Sequence, residues 1–249
     1  MTRVVRAAVL CVTLTAASLA AQVREGDTVP RATLVAPLQP DSGHPFLRRP
    51  WLVLDDTIAG QAITVVVHRG GDSLPGSAGY TADRAAIAIQ RGGAYQVLYV
   101  VESDGYWETE AAPRGPYWNG TSFIDTAYVF RFGGRGFLRI AEGFYGTGAA
   151  VLEHVFTLDS TGRLVGVPVV DSNERFAALV RTGEYLAGGR FTAIADDRIE
   201  YQIWVYDRGD ANCCPSAGTV RARYRIVGDT RTSLRVEPDS VWREPIKTP

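Results

Sequence analysis

Val220-Arg221-Ala222-Arg223-Tyr224-Arg225-Ile226 alternates strictly along its length. In an extended chain Val, Ala, Tyr and Ile fall on one side and three arginines on the other, the two-residue period of a half-buried strand. A tight turn, Gly228-Asp229-Thr230, follows, and then a further apolar run at 233–237. Upstream lie two more runs, 190–195 and 199–207, rich in β-branched and aromatic residues. Together they read as a four-stranded antiparallel meander.

The same grouping occurs twice earlier. Runs at 51–55, 63–69, 84–90 and 95–101 form one set, and runs at 127–132, 137–142, 151–158 and 164–170 another. In each set the third and fourth runs are joined by a tight turn, Arg91-Gly92-Gly93 in the first and Ser160-Thr161-Gly162 in the second. The third runs centre near Ala88, His154 and Arg223, 66 and 69 residues apart. That is longer than the propeller-blade period of about 40–50, and the low identity between sets leaves open whether they are true repeats. The fold expected is all-β, in antiparallel meanders. They form either three four-stranded sheets, as in part of a propeller or prism, or packed sandwiches. One short helix is expected at 173–181, where Phe176, Leu179 and Val180 share helical spacing and Gly183 supplies a stop.

The ends of the chain set its organisation. Arg3 and Arg6 precede an apolar stretch from Ala7 to Leu19, and small residues lead to a cleavage point after Ala20. That is the form of a secretory signal, too short to span a bilayer comfortably. Export to the periplasm or medium follows as the expectation. Cys11 lies inside the apolar stretch and not at the cleavage point, which disfavours a lipid anchor. No later segment is apolar enough to cross a membrane. Residues 21–50 form a proline-rich lead-in, in which 31–36 reads as an edge strand that helps cover the sheet. A β unit is expected at 51–108, a Pro/Gly linker at 109–122, and a second β unit at 123–249.

The formal net charge is −1, from 26 basic and 27 acidic residues; removal of Arg3 and Arg6 makes it −3. This argues against nucleic acid as a partner. An envelope ligand or protein is expected instead, and no cofactor.

Cys213 and Cys214 are adjacent, in Gly209-Asp210-Ala211-Asn212-Cys213-Cys214-Pro215-Ser216, and only they remain once the signal is removed. Neighbouring Cα atoms lie about 3.8 Å apart, closer than the roughly 4.4–6.8 Å that disulfides prefer. A bond between them forces a sharp turn and is easily reduced. The alternatives are an intermolecular bridge, a metal site or free thiols. No CxxC or spaced histidine pair completes a metal site. The oxygen ligands of Asp210 and Asn212 miss the spacing of a calcium loop and suit Asx turns in a hairpin.

This segment, with Gly183-Glu184-Tyr185, Gly188-Gly189, Val205-Tyr206, Val220 and Tyr224 around it, resembles the C-terminal part of a family of small exported bacterial proteins and lipoproteins that carry GDxxCCPS between two strands, the LppP/LprE-like family. The resemblance spans about the last sixty residues. It implies export and a β fold, without a defined activity, and this chain lacks the lipidation cysteine of the lipoprotein members.

Two aromatic pairs, Tyr106-Trp107 and Tyr117-Trp118, flank the Pro/Gly linker and are candidate ligand contacts, with Asp210 and Asn212. Arg221, Arg223 and Arg225 make a stripe that suits an anionic glycan or phosphate, or pairs with acids across a ladder. Gly71-Asp72-Ser73-Leu74 spells the nucleophile block of GDSL esterases. The only histidines, His44, His68 and His154, lie in no DxxH block, and the α/β alternation of that fold is missing. No catalytic residue is therefore assigned. The function expected is non-enzymatic binding. The rivals are thiol redox or metal handling through Cys213 and Cys214, and a hydrolase using Ser73.

Overall fold

The computed structural model describes residues 23–38, 48–70, 83–102, 122–144, 151–170, 173–195, 198–211 and 214–245. The signal stretch and most of the 109–122 linker lie outside them. Three antiparallel sheets follow one another along the chain. The first contains β1 (Thr28–Val29), β2 (Arg48–Ile58), β3 (Gln61–Gly70), β4 (Arg84–Arg91) and β5 (Ala94–Glu102), in the order β1-β5-β4-β3-β2. The second contains β6 (Ser122–Phe132), β7 (Arg135–Phe144), β8 (Val151–Leu158) and β9 (Leu164–Gly166), in sequence order. A short helix, α2 (Asn173–Ala177), leads to the third: β10 (Glu184–Ala195), β11 (Arg198–Asp207), β12 (Gly218–Val227) and β13 (Arg235–Glu244). The three expected groups of runs are these three sheets.

Turn chemistry explains the meanders. Gly92 and Gly93, both at positive φ, close the β4–β5 hairpin in the conformation whose twist matches the strands it joins. In β10 a different glycine acts by close approach. A Cβ on Gly189 would fall on the Tyr201 hydroxyl, whose ring packs against Phe176, Phe191 and Tyr224.

The sheets stack face to face. Ile63, Val65, Ile87 and Ile89 of the first meet Ile124, Leu138, Ile140 and Phe156 of the second in one apolar cluster. Phe130, Phe137 and Val155, on the opposite face of the second sheet, join Phe191, Ile203, Val220, Tyr224 and Val236 of the third. The second sheet is thus buried on both faces. The lead-in lies on the remaining face of the first sheet, where Val23 and Leu34 pack on Val66, Ala86, Ala88 and Val97.

The lead-in corrects one expectation. Residues 31–36 do not form an edge strand. Arg31–Leu34 is a helical turn, α1, whose Thr33 and Leu34 N–H groups donate to the Pro30 carbonyl. The edge strand is β1, paired with β5 at Thr28–Gln96 and Val29–Tyr95. Pro30 has no N–H to extend that ladder, and the turn drops Leu34 fully into the core.

Apolar packing does not fix how one sheet sits on the next; two polar clasps do. Between the first and second sheets, Asp83 accepts from Arg69 Nε at 3.2 Å and from the Ile124 N–H at 2.9 Å. Arg69 Nη2 also donates to the Ile124 carbonyl at 2.9 Å. Burial pushes the Asp83 carboxyl up, against the pull of Arg69 and the Ile124 N–H. Between the second and third sheets, Glu153 takes both Nε and Nη2 of Arg139 at 2.7 Å and the Phe191 N–H at 3.0 Å. Arg139 and Glu153 are 7% and 4% exposed. Burial works against the Arg139 charge, yet its bonds and attraction to Glu153 hold its pKa above the ordinary value.

Removing one partner of such a pair strands the other. Glu153→Ala should cost about 3–5 kcal/mol, read as a lower urea midpoint with unchanged slope. Arg139→Met with Glu153→Leu should recover much of the loss. A single variant as stable as the parent would show that the clasp does not hold the sheets.

Candidate functional site

The first sheet is covered by the lead-in, and each junction between sheets is packed. The outer face of the third sheet carries no layer among the described residues. Its side chains follow from the register. Inward-pointing Ile199, Tyr201, Ile203 and Val205 of β11 and Val220, Ala222 and Tyr224 of β12 belong to the core. The residues between them therefore face outward.

Two neighbouring rows define this face. In one, Trp204 lies between Ala187 and Thr219, with Glu244 beyond. In the next, Arg190, Gln202, Arg221 and Trp242 run across all four strands. Ala187 and Thr219 are small, and the indole of Trp204 between them is half-buried. A β-bulge between Ala187 and Arg190 re-aims β10. It brings the Arg190 guanidinium 5.5 Å from the centre of the Trp204 ring. At the end of the face Tyr185 stacks on Tyr206, with ring centres 5.3 Å apart. Tyr185 is 39% exposed.

The arginine stripe expected from the alternation lies on this face. Its members pair mostly across the ladder: Arg225 with Glu237 at 3.1 Å, Arg221 with Glu244 at 2.8 Å, and Arg223 near Glu200 at 3.9 Å. Arg198 also pairs with the buried Glu200.

The cysteine loop joins β11 to β12 beside the tyrosines. Asp210 shapes it. Its carboxylate accepts from the N–H groups of Asp207 and Ser216, at 2.7 and 2.8 Å, and from the Ser216 hydroxyl at 2.6 Å. The Ser216 hydroxyl, then its N–H, pull the Asp210 carboxyl below its ordinary range. Asp210 thus staples the loop. Cys214 is exposed, and its N–H donates to the Ala211 carbonyl at 2.9 Å. Asn212 and Cys213 lie outside the described residues, as do Tyr106, Trp107, Tyr117, Trp118, Ser73 and His44.

Arg243 locks the foot of the loop. It donates to Glu184 through two bonds of 2.6 and 2.7 Å, to the Ala217 carbonyl at 2.7 Å, and to the Leu179 carbonyl at 3.1 Å. One guanidinium joins the segment after α2, the start of β10 and the end of the loop.

The other titratable groups sit elsewhere. His68 is buried and bonds the Ala36 carbonyl through Nε2 at 2.9 Å. Burial, with Arg84 and Arg48 nearby, lowers its pKa. His154 Nε2 lies 3.0 Å from Glu142. A cleft of about 240 Å³ beside Arg139, Arg190 and Thr192 opens between the second and third sheets. Among the described residues no group of three or more His, Cys, Asp or Glu could hold a metal ion, and no helix is long and apolar enough to cross a membrane. No family model, curated protein or solved structure matches the chain.

Glu184 gives the site a measurable signature. Arg243, then the Arg181 N–H, depress its carboxyl to about 2. A depressed carboxylate stabilises the fold above its unfolded pKa, and that contribution is lost as pH falls through the folded value. Stability should therefore decline from the ordinary carboxylate range down to about pH 2. Carbon-detected NMR titration should place Glu184 near 2, and Arg243→Met should raise it toward the ordinary carboxylate range while the Arg181 N–H still holds it below. An ordinary value in the parent protein would show that the lock is open in solution. Asp210→Ala should release the loop, read as faster amide exchange at Ser216.

Proposed function

We propose that this chain is an exported bacterial envelope protein that acts by binding, without chemistry of its own, through the outer face of the third sheet. The observation that carries the reading is the outward-facing pair of rows holding the half-buried Trp204 and Trp242 and the exposed Arg190, with Tyr185 beside them. Aromatic rings flanked by small residues present flat, rigid contact area, and an arginine stacked on one of them is already oriented. The export signal at residues 1–20 and the GDxxCCPS resemblance support the location. Cosedimentation of the mature protein with isolated bacterial envelopes tests the role. Trp204→Ala with Tyr185→Ala should weaken it about tenfold or more while the melting temperature holds. Retention at parental strength would overturn the face as the site. The mature chain should begin at Ala21 by N-terminal sequencing of exported protein.

We propose further that Cys213 and Cys214 are joined as a vicinal disulfide in the exported protein. An oxidising compartment and the lack of other cysteines in the mature chain support it. Intact mass should rise by two hydrogens on reduction without splitting a dimer. The closed ring is minimal, so Cys213→Ser should barely move the melting temperature. Two thiols open to alkylation in the oxidised preparation would refute the bond and favour the thiol redox or metal-handling reading, which rests on the exposure of Cys214. The hydrolase reading gains no support. Ser73 lies outside the described residues, His68 bonds the Ala36 carbonyl and His154 meets Glu142.

A further inference from the structure

We infer that the ligand of the outer face is an acidic polysaccharide, with sugar rings laid on Trp204 and Trp242 and an acidic group of the chain held by Arg190. The inference rests on the binding reading above and names its ligand class.

The first ground is ion pairing. On this face Arg198 and Arg223 turn to Glu200, Arg221 to Glu244 and Arg225 to Glu237. Arg190 is exposed and engages no acceptor among the described residues. Its one described neighbour contact of this kind is the Trp204 ring. A guanidinium held by stacking keeps its planar fork free for a carboxylate or phosphate. The whole chain is net negative, so this open cation is a local feature and not part of a general basic surface.

The second ground is spacing. Trp204 on β11 and Trp242 on β13 lie two strands apart and one same-face row apart. That is roughly 10 Å across the sheet and about 7 Å along it. Both rings can be covered by consecutive parts of an extended chain, and no single ring could reach both. Gln202 and Arg221 lie between them and offer hydrogen bonds to hydroxyl groups.

The third ground is what the face omits. Among the described residues the exposed large hydrophobics are Trp51, Val53, Tyr99, Leu152 and Tyr185, and of these only Tyr185 lies on it, Trp204 and Trp242 being half-buried. A stable protein interface needs an apolar centre, and a membrane surface needs apolar side chains that enter the acyl boundary. Nor is the face prepared for a fourth sheet of the same kind. The clasp residues Arg69 and Asp83 recur as Arg139 and Glu153, seventy residues on, and a further seventy residues reach Gly209 and Arg223.

The test is calorimetric titration of the mature protein with polygalacturonate, with dextran as the neutral polymer and anionic phospholipid vesicles as the competing surface. Polygalacturonate should bind, and more weakly as salt rises. Trp204→Ala and Trp242→Ala should each weaken it about tenfold. Arg190→Gln should remove the preference over dextran, and Arg190→Lys should restore it only in part. Unchanged melting temperatures establish that the variants are folded. Equal binding of dextran would overturn the acidic ligand, and stronger binding of vesicles would overturn the polysaccharide. No binding of either polymer, with face-dependent cosedimentation intact, would sink this inference and leave the binding face standing. Loss of both would remove the face itself.

Discussion

A buried carboxylate that accepts from the main chain of the next sheet is the constraint on which this architecture depends. Hydrophobic contact between two sheets is strong but non-directional, and a sheet can slide or rotate on its neighbour at little apolar cost. The Arg139–Glu153 pair removes that freedom by taking the Phe191 N–H as a third partner. Arg69, Asp83 and Ile124 do the same one junction earlier. In both, the arginine precedes the acid by fourteen residues and the N–H comes from the first strand of the next sheet. Satisfying a buried acid with a main-chain donor also limits the cost of burying the charge. Position is specified by polar groups, and cohesion is supplied by apolar ones.

The strands were legible because each announces itself locally. β-branched and aromatic runs, broken by glycine turns such as Gly92-Gly93, need no knowledge of what they pack on. The alternation from Val220 to Ile226 even separated the core face of β12 from its arginine face. Residues 31–36 misled because their apolar spacing also fits a strand. The deciding factor was Pro30, which ends the β1 ladder and accepts the first bonds of α1. The clasps were hidden for a different reason. An arginine and an acid fourteen residues apart meet only if the intervening loop returns the chain in one register. Their recurrence seventy residues on was the available signal, masked by low identity elsewhere. In the site, the Asx turn expected of Asp210 is not what its described bonds form: they tie Asp207 to Ser216 across the loop. Trp204 and Arg190 carried no local mark, because their meeting depends on a bulge in β10.

The two ends of the stack are finished differently. At the first sheet the chain folds its own lead-in over the apolar face, with Leu34 fully buried. At the third sheet the outward face is polar enough to stand in water, because most of its arginines are matched with carboxylates across the ladder. What is left after that matching is a stacked cation and half-buried aromatic rings.

The double-sided burial of the second sheet has a consequence for how the chain can come into being. A sheet with apolar groups on both faces has no stable form with only one neighbour in place. The first sheet must wait for the second, and the second for the third, whose inner face is completed by Val236 on the last strand. A nascent chain therefore cannot close its core until the strand that carries Val236 has been made, and a stop just before that strand would spoil far more than the strand it removes.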